Sequence, residues 1–182
     1  MTSTRIAPHP ASDFGEAMTL LAALQAQEGG AVNPVCTTYA LTHGHKTPRV
    51  LVYFHGFTNC PEQFRQLGQI FFERGYNVLV PRLPYHGLAD RLTEDLAKLT
   101  VDDLIAGTED VVNLACGLGE EVIVAGLSGG GIMAAWAAQT RRDVALALIA
   151  APAFGLPFVP PLISEAARGA IRALPNRFIW WD

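Results

Sequence analysis

The sequence predicts an α/β fold: a mostly parallel sheet with helices on both faces. Three observations lead there. Short apolar runs such as Val122-Ile123-Val124-Ala125 and Val144-Ala145-Leu146-Ala147-Leu148-Ile149-Ala150 read as strands buried on both faces. Segments with apolar residues at helical spacing lie between the strand-like runs. Strand and helix alternate in regular order, the pattern of parallel strands joined by right-handed crossovers.

Composition permits such a core and narrows the partners. Of 182 residues, 50% are hydrophobic and 16% charged, which excludes a disordered chain. A formal charge of −4, with the charges scattered, argues against a nucleic-acid partner. No apolar run is long enough to span a membrane, and the segment Met1 to Pro10 has no apolar stretch behind its arginine. Neither a signal peptide nor a stable membrane anchor is therefore expected. Cys36, Cys60 and Cys116 show no metal-ligand spacing, and their odd number suits a reducing compartment. A cytoplasmic location is expected, with no metal and no organic cofactor.

The elements follow in order. Ser12 is placed to cap a helix whose apolar positions are Phe14, Met18, Leu21 and Leu24, ending at Gly29-Gly30. Residues 36–42 mix β-branched and aromatic side chains and predict a strand. The turn His43-Gly44-His45-Lys46 comes next, and its histidines read as solvated because no third metal ligand is near. Residues 49–54 predict a second strand. Pro61 opens a helix through Arg74 with Phe64, Leu67, Ile70 and Phe71 on its buried side, stopped by Gly75. A strand over 76–80 leads into a long loop containing Pro81, Pro84 and Tyr85-His86-Gly87. Thr100, with Asp103 three residues on, predicts a capping box for a helix ending near Gly117. The strands over 122–125 and 144–150 flank a helix that starts within a residue or two of Ser128. A proline-rich stretch over 152–161, a short helix over 164–174 and the aromatic end Phe178, Trp180, Trp181 close the chain. The organisation is then an N-terminal helical segment over 1–34, a core over 35–151 and the start of a lid over 152–182.

The turn between the 122–125 strand and its helix carries the chemistry. Gly126-Leu127-Ser128-Gly129-Gly130 fits G-x-S-x-G. A serine on a sharp strand-to-helix turn sits in strained backbone, and Gly126 and Gly130 remove the Cβ atoms that would crowd it. The helix N-terminus behind Ser128 supplies unpaired N–H groups and the positive end of a dipole, both suited to an oxyanion. The competing reading is a glycine-rich turn with an incidental serine.

Three ordered stretches together make the chain resemble an α/β-hydrolase of the esterase and lysophospholipase-like branch. They are Val50-Leu51-Val52-Tyr53-Phe54-His55-Gly56-Phe57, Pro81-Arg82-Leu83-Pro84-Tyr85-His86-Gly87 and Gly126-Leu127-Ser128-Gly129-Gly130. The resemblance implies a nucleophilic Ser128 and an oxyanion hole formed by the backbone N–H groups of Phe57 and Gly129. It makes His55, Gly56 and His86 supporting residues of the neighbouring loops, rather than making either histidine the general base. In this fold the catalytic acid and then the histidine follow the serine. Here His9, His43, His45, His55 and His86 all precede Ser128. After Ser128 the acids are Asp143, Glu165 and Asp182. Asp143 should lie at the opposite end of the sheet, Glu165 reads as a first-turn carboxylate, and Asp182 is terminal. The expectation is thus the N-terminal part of a longer hydrolase with its last strands missing, ending in a lid whose aromatic residues cover an apolar acyl pocket.

The reading is a serine hydrolase of carboxylic esters acting on a small molecule with an apolar acyl part. The alternatives are an amidase or peptidase of the same fold, a non-catalytic binding relative, or a variant with His86 as a rearranged base. The resemblance also implies that the 36–42 strand runs antiparallel, which brings Cys36 near Cys60. With no export signal, free thiols are expected there. The strand over 144–150 becomes an open edge without charge or proline, through which the chain is expected to self-associate.

Overall fold

A computed structural model describes residues 9–150. The expectations for 152–182, including the lid, the 164–174 helix and Glu165, lie outside the described residues. The elements are helix α1 (Phe14–Glu28), strand β1 (Tyr39–Leu41), strand β2 (Thr47–Phe54), helix α2 (Arg65–Phe72) and strand β3 (Asn77–Val80). Helix α3 (Val101–Leu118), strand β4 (Gly119–Leu127), helix α4 (Gly129–Thr140) and strand β5 (Val144–Ala150) follow. Among the described residues the strands form a single sheet in the order β1-β3-β2-β4-β5. β2 pairs in parallel with β3 and β4, and β4 with β5; β1 is antiparallel to β3.

Strand β2 shows why the apolar runs are unbroken. Val50, Val52 and Phe54 enter a core built with Ala17 and Leu21 of α1, Val112 and Leu118 of α3, and Met133 and Ala134 of α4. Leu51 and Tyr53, pointing the other way, pack with Val78, Val80 and the α2 residues Phe71 and Phe72. Both faces of a central strand are dry, so both sets of alternate positions must be apolar. No helix among the described residues is long and apolar enough to cross a membrane.

Several element ends differ from expectation for local reasons. Asp13, not Ser12, caps α1: its carboxylate accepts from the Glu16 N–H, while Ser12 donates back to Glu16. The segment after Pro61 begins as a 3-10 turn over Pro61–Phe64 before becoming α-helical. Phe64 and Phe71 are inward as expected, but Leu67 and Ile70 are 40% and 45% exposed. The face of α2 set on the sheet is instead marked by Gly68, where a Cβ would touch Val78 at 3.4 Å. The capping box of α3 forms as expected, with Thr100 and Asp103 exchanging hydrogen bonds of 2.9 and 3.1 Å.

The free thiols expected at Cys36 and Cys60 are a correction: the two form a disulfide with a Cα–Cα separation of 5.2 Å. Because β1 runs antiparallel, pairing Tyr39 with Val80, its start lies at the end of the sheet where β2 finishes. Cys36 is thereby delivered to the loop that carries Cys60. The absence of an export signal said nothing about this geometry.

Candidate active site

Ser128 sits between the C-terminus of β4 and the N-terminus of α4 with φ 54° and ψ −116°, a left-handed backbone that a non-glycine residue adopts only under constraint. The constraint is visible. Its N–H donates to the Ala150 carbonyl at 2.9 Å, and its own carbonyl accepts from the Gly131 N–H at 3.0 Å. The glycines two residues either side are required by close backbone approach. A Cβ on Gly126 would lie 2.1 Å from the Gly130 carbonyl oxygen, and one on Gly130 would lie 2.1 Å from that of Phe54. Nothing larger than glycine fits either place without moving backbone.

The end of β2 meets this turn. A Cβ on Gly56 would come within 3.7 Å of the Ser128 Cβ, so the two loops touch. The Gly56 N–H is already donated to Gln63 Oε1 at 3.1 Å. Among the described residues the N–H groups of Phe57 and Gly129 have no hydrogen-bond partner. The Phe57 ring lies over Gly129, where an added Cβ would meet its Cδ2 at 2.4 Å. Two unpartnered donors thus stand on adjoining loops next to Ser128. Among the described residues, no hydrogen bond reaches Ser128 Oγ.

The comparisons with known proteins bear on this arrangement. A family model described as the alpha/beta hydrolase family matches residues 50–181. The chain belongs to the α/β-hydrolase family. It is 29% identical over 111 residues to a thermostable monoacylglycerol lipase of Bacillus sp. (strain H-257), a match covering 61% of this chain and 43% of the lipase. A solved structure from work on LipS and LipT, two metagenome-derived lipolytic enzymes, superposes with a TM-score of 0.51 at 28% identity, over 62% of this chain and 44% of that one. An esterase of Pyrococcus furiosus shares the fold, with a TM-score of 0.52 at 14% identity over 74% of this chain and 55% of that one. The chain spans less than half the length of the lipase it matches.

In this α/β-hydrolase the histidines beside the turn are held by their own loops. His55 is fully buried; its Nδ1 pairs with the Gly56 carbonyl at 2.9 Å and its Nε2 accepts from the Leu83 N–H at 3.1 Å. Both ring nitrogens are engaged, and burial pushes the pKa down to about 4. His86 is also buried, with Nδ1 2.8 Å from the Pro84 carbonyl. Its Nε2 meets no partner at full hydrogen-bond geometry among the described residues, its ring stacks on Phe57 at 5.5 Å, and burial lowers its pKa too. The turn histidines lie elsewhere: His43 stacks on Phe72 at 4.2 Å, and His45 hydrogen-bonds to the His43 carbonyl.

Of the acids after Ser128, Asp143 is the one among the described residues, and it lies apart from Ser128. Asp143 precedes Val144, the first residue of β5 and the partner of Val122, whereas Ser128 adjoins the other end of β5 at Ala150. It pairs with Arg141 Nη2 at 2.6 Å, and Arg141 also pairs with Glu109. Cys116 hydrogen-bonds to Asp143, and burial pushes its thiol up to about 12, which rules it out as a ready nucleophile.

A buried network missed in the sequence fixes the 81–87 loop. Glu28, at the end of α1, accepts from the Thr38 N–H at 3.0 Å, and Thr38 Oγ1 accepts from the Arg82 N–H at 2.8 Å. Arg82 Nε lies 3.3 Å from Glu28 Oε1, and its Nη1 donates to the His86 carbonyl at 3.0 Å. Glu28 precedes Gly29-Gly30 and looked like an exposed helix end, so no local signal marked it. Gly87 completes the loop with φ 67°, and a Cβ there would lie 2.5 Å from that of Cys36.

Proposed function

We propose that the protein is a serine hydrolase of carboxylic esters, with Ser128 as nucleophile and the Phe57 and Gly129 N–H groups as the oxyanion hole. The observation that carries the reading is the constrained Ser128 backbone beside two N–H donors that have no partner among the described residues. In the reaction, Ser128 Oγ attacks the ester carbonyl carbon and its proton passes to a general base. The two donors hold the oxyanion, the alcohol leaves with that proton, and water then releases the acid from the acyl-serine.

The acid and base are assigned to sequence outside these 182 residues. His55 has both ring nitrogens engaged, and all the histidines precede Ser128. His55, Gly56, His86, Gly126 and Gly130 are supporting residues in this reading, and 152–182 begins a lid. The lipase and lipolytic relatives favour an ester over an amide. The β5 edge is assigned to pairing with a second copy of the 182-residue chain.

The test is hydrolysis of p-nitrophenyl butyrate and its anilide counterpart by the complete protein. Ester cleavage should fall by about 10⁴-fold or more in Ser128→Ala. Unchanged cleavage would remove Ser128 from the mechanism, and faster anilide cleavage would move the reading to an amidase.

A further inference from the structure

The Phe57 N–H belongs to the same peptide unit as the Gly56 carbonyl, and in a planar trans peptide the two point in opposite directions. That carbonyl is held: it accepts from the Asn59 N–H at 3.0 Å and pairs with His55 Nδ1 at 2.9 Å. Glycine resists backbone rotation least of all residues, so its other side needs holding as well. Gly56 is buried against the Ser128 turn, where a Cβ would lie 3.6 Å from the Leu127 carbonyl oxygen. Its remaining backbone group is the N–H, and the partner of that N–H is Gln63 Oε1 at 3.1 Å. A side chain from outside the loop thus holds the peptide next to the candidate oxyanion donor.

We infer that Gln63 is a positioning residue for that donor: its amide oxygen fixes the Gly56 N–H and thereby the direction of the Phe57 N–H. The inference rests on the serine-hydrolase reading above. Gln63 is itself anchored. Its N–H donates to the Cys60 carbonyl at 3.0 Å, Cys60 is bonded to Cys36, and the next residue, Phe64, stacks on Tyr53 of β2 at 4.6 Å. A neutral amide oxygen also accepts the N–H without placing a negative charge near a developing oxyanion. Without that acceptor the buried Gly56 N–H would be unpaired, a penalty that rotation of the glycine toward water relieves. The Phe57 donor would turn with it.

The experiment measures kcat/KM of the complete protein for p-nitrophenyl butyrate and for its thiono analogue, in which sulfur replaces the carbonyl oxygen. Sulfur accepts hydrogen bonds weakly, so the ester-to-thionoester ratio reads the oxyanion donors, whereas a general loss of folded enzyme lowers both rates alike. Gln63→Met, of similar length but without an oxygen acceptor, should lower the ratio about fivefold or more. Gln63→Glu, which keeps an acceptor oxygen at the same reach, should restore it. A ratio unchanged in Gln63→Met, or lowered equally in both variants, overturns the inference. Ester cleavage that survives Ser128→Ala would instead defeat the serine-hydrolase reading. The hold on the Gly56–Phe57 peptide is then judged by amide exchange. Gly56 N–H exchange about tenfold faster or more in Gln63→Met supports it, and equal exchange in the two proteins overturns it.

Discussion

The Ser128 N–H donates to the Ala150 carbonyl at 2.9 Å, which ties the candidate nucleophile turn to the last residue of β5. A strand at the edge of the described sheet therefore helps hold the constrained backbone of Ser128. Whatever disturbs β5 is transmitted to Ser128 through one hydrogen bond.

That edge leads to a first prediction. Among the described residues β5 pairs with β4 alone, and Leu146 and Leu148 are 50% and 49% exposed. An uncharged apolar edge is a template for strand addition. The 182-residue chain should sediment as dimers or larger species, and Leu146→Lys should shift it toward monomer. A monodisperse, cooperatively unfolding monomer of the unaltered chain would refute this.

The turn glycines differ sharply in what they tolerate. A Cβ on Gly130 meets backbone at 2.1 Å, whereas one on Gly131 has its nearest neighbour, the Ala150 carbonyl oxygen, at 3.3 Å. Gly130→Ala should destabilise the protein by about 3 kcal/mol or more. Gly131→Ala should stay within about 1 kcal/mol, because the helix gain of alanine offsets a small displacement. Urea unfolding of both variants checks the contrast, which equal effects would contradict.

His55 makes stability depend on pH. Its pKa is lowered to about 4 in the folded protein, from an ordinary value of 6.5, so folding favours the neutral ring. Its contribution is fully present above the unfolded value and is lost as pH falls from about 6.5 toward about 4. Between pH 7 and 5 the protein should lose on the order of 1–2 kcal/mol more than His55→Gln does. Parallel pH profiles of the two proteins in urea unfolding would contradict burial of a neutral His55.

The disulfide gives a prediction of its own. Cys36 and Cys60 are 24 residues apart in sequence, and opening a loop of that size removes about 3 kcal/mol of stability. A Cys36→Ser, Cys60→Ser double variant should show that loss, with faster amide exchange over 56–61. Wild-type stability in the double variant would show that the bond is not formed in solution.

The sequence made the architecture and the turn legible because both rest on local patterns. β2, β4 and β5 carry apolar residues on both faces, and the Gly126, Ser128, Gly130 spacing answers to contacts within one turn. What it hid was non-local or a matter of phase. The Glu28–Thr38–Arg82 network joins α1 to a loop over fifty residues away in sequence, and nothing around Glu28 marks burial. The outward Leu67 and Ile70 reflect the 3-10 start after Pro61, which shifts the helical phase. The cleft beside Phe57 is invisible in sequence because it is a gap between α3 and α4, which no single stretch encodes.

The central claim is that Ser128 is a nucleophile, and covalent labelling tests it most directly. The complete protein is treated with a fluorophosphonate and digested, and the modified peptide is identified by mass spectrometry. The account predicts a single adduct on Ser128 that disappears in Ser128→Ala. An adduct on another residue, or none from a folded protein that hydrolyses esters, would contradict it.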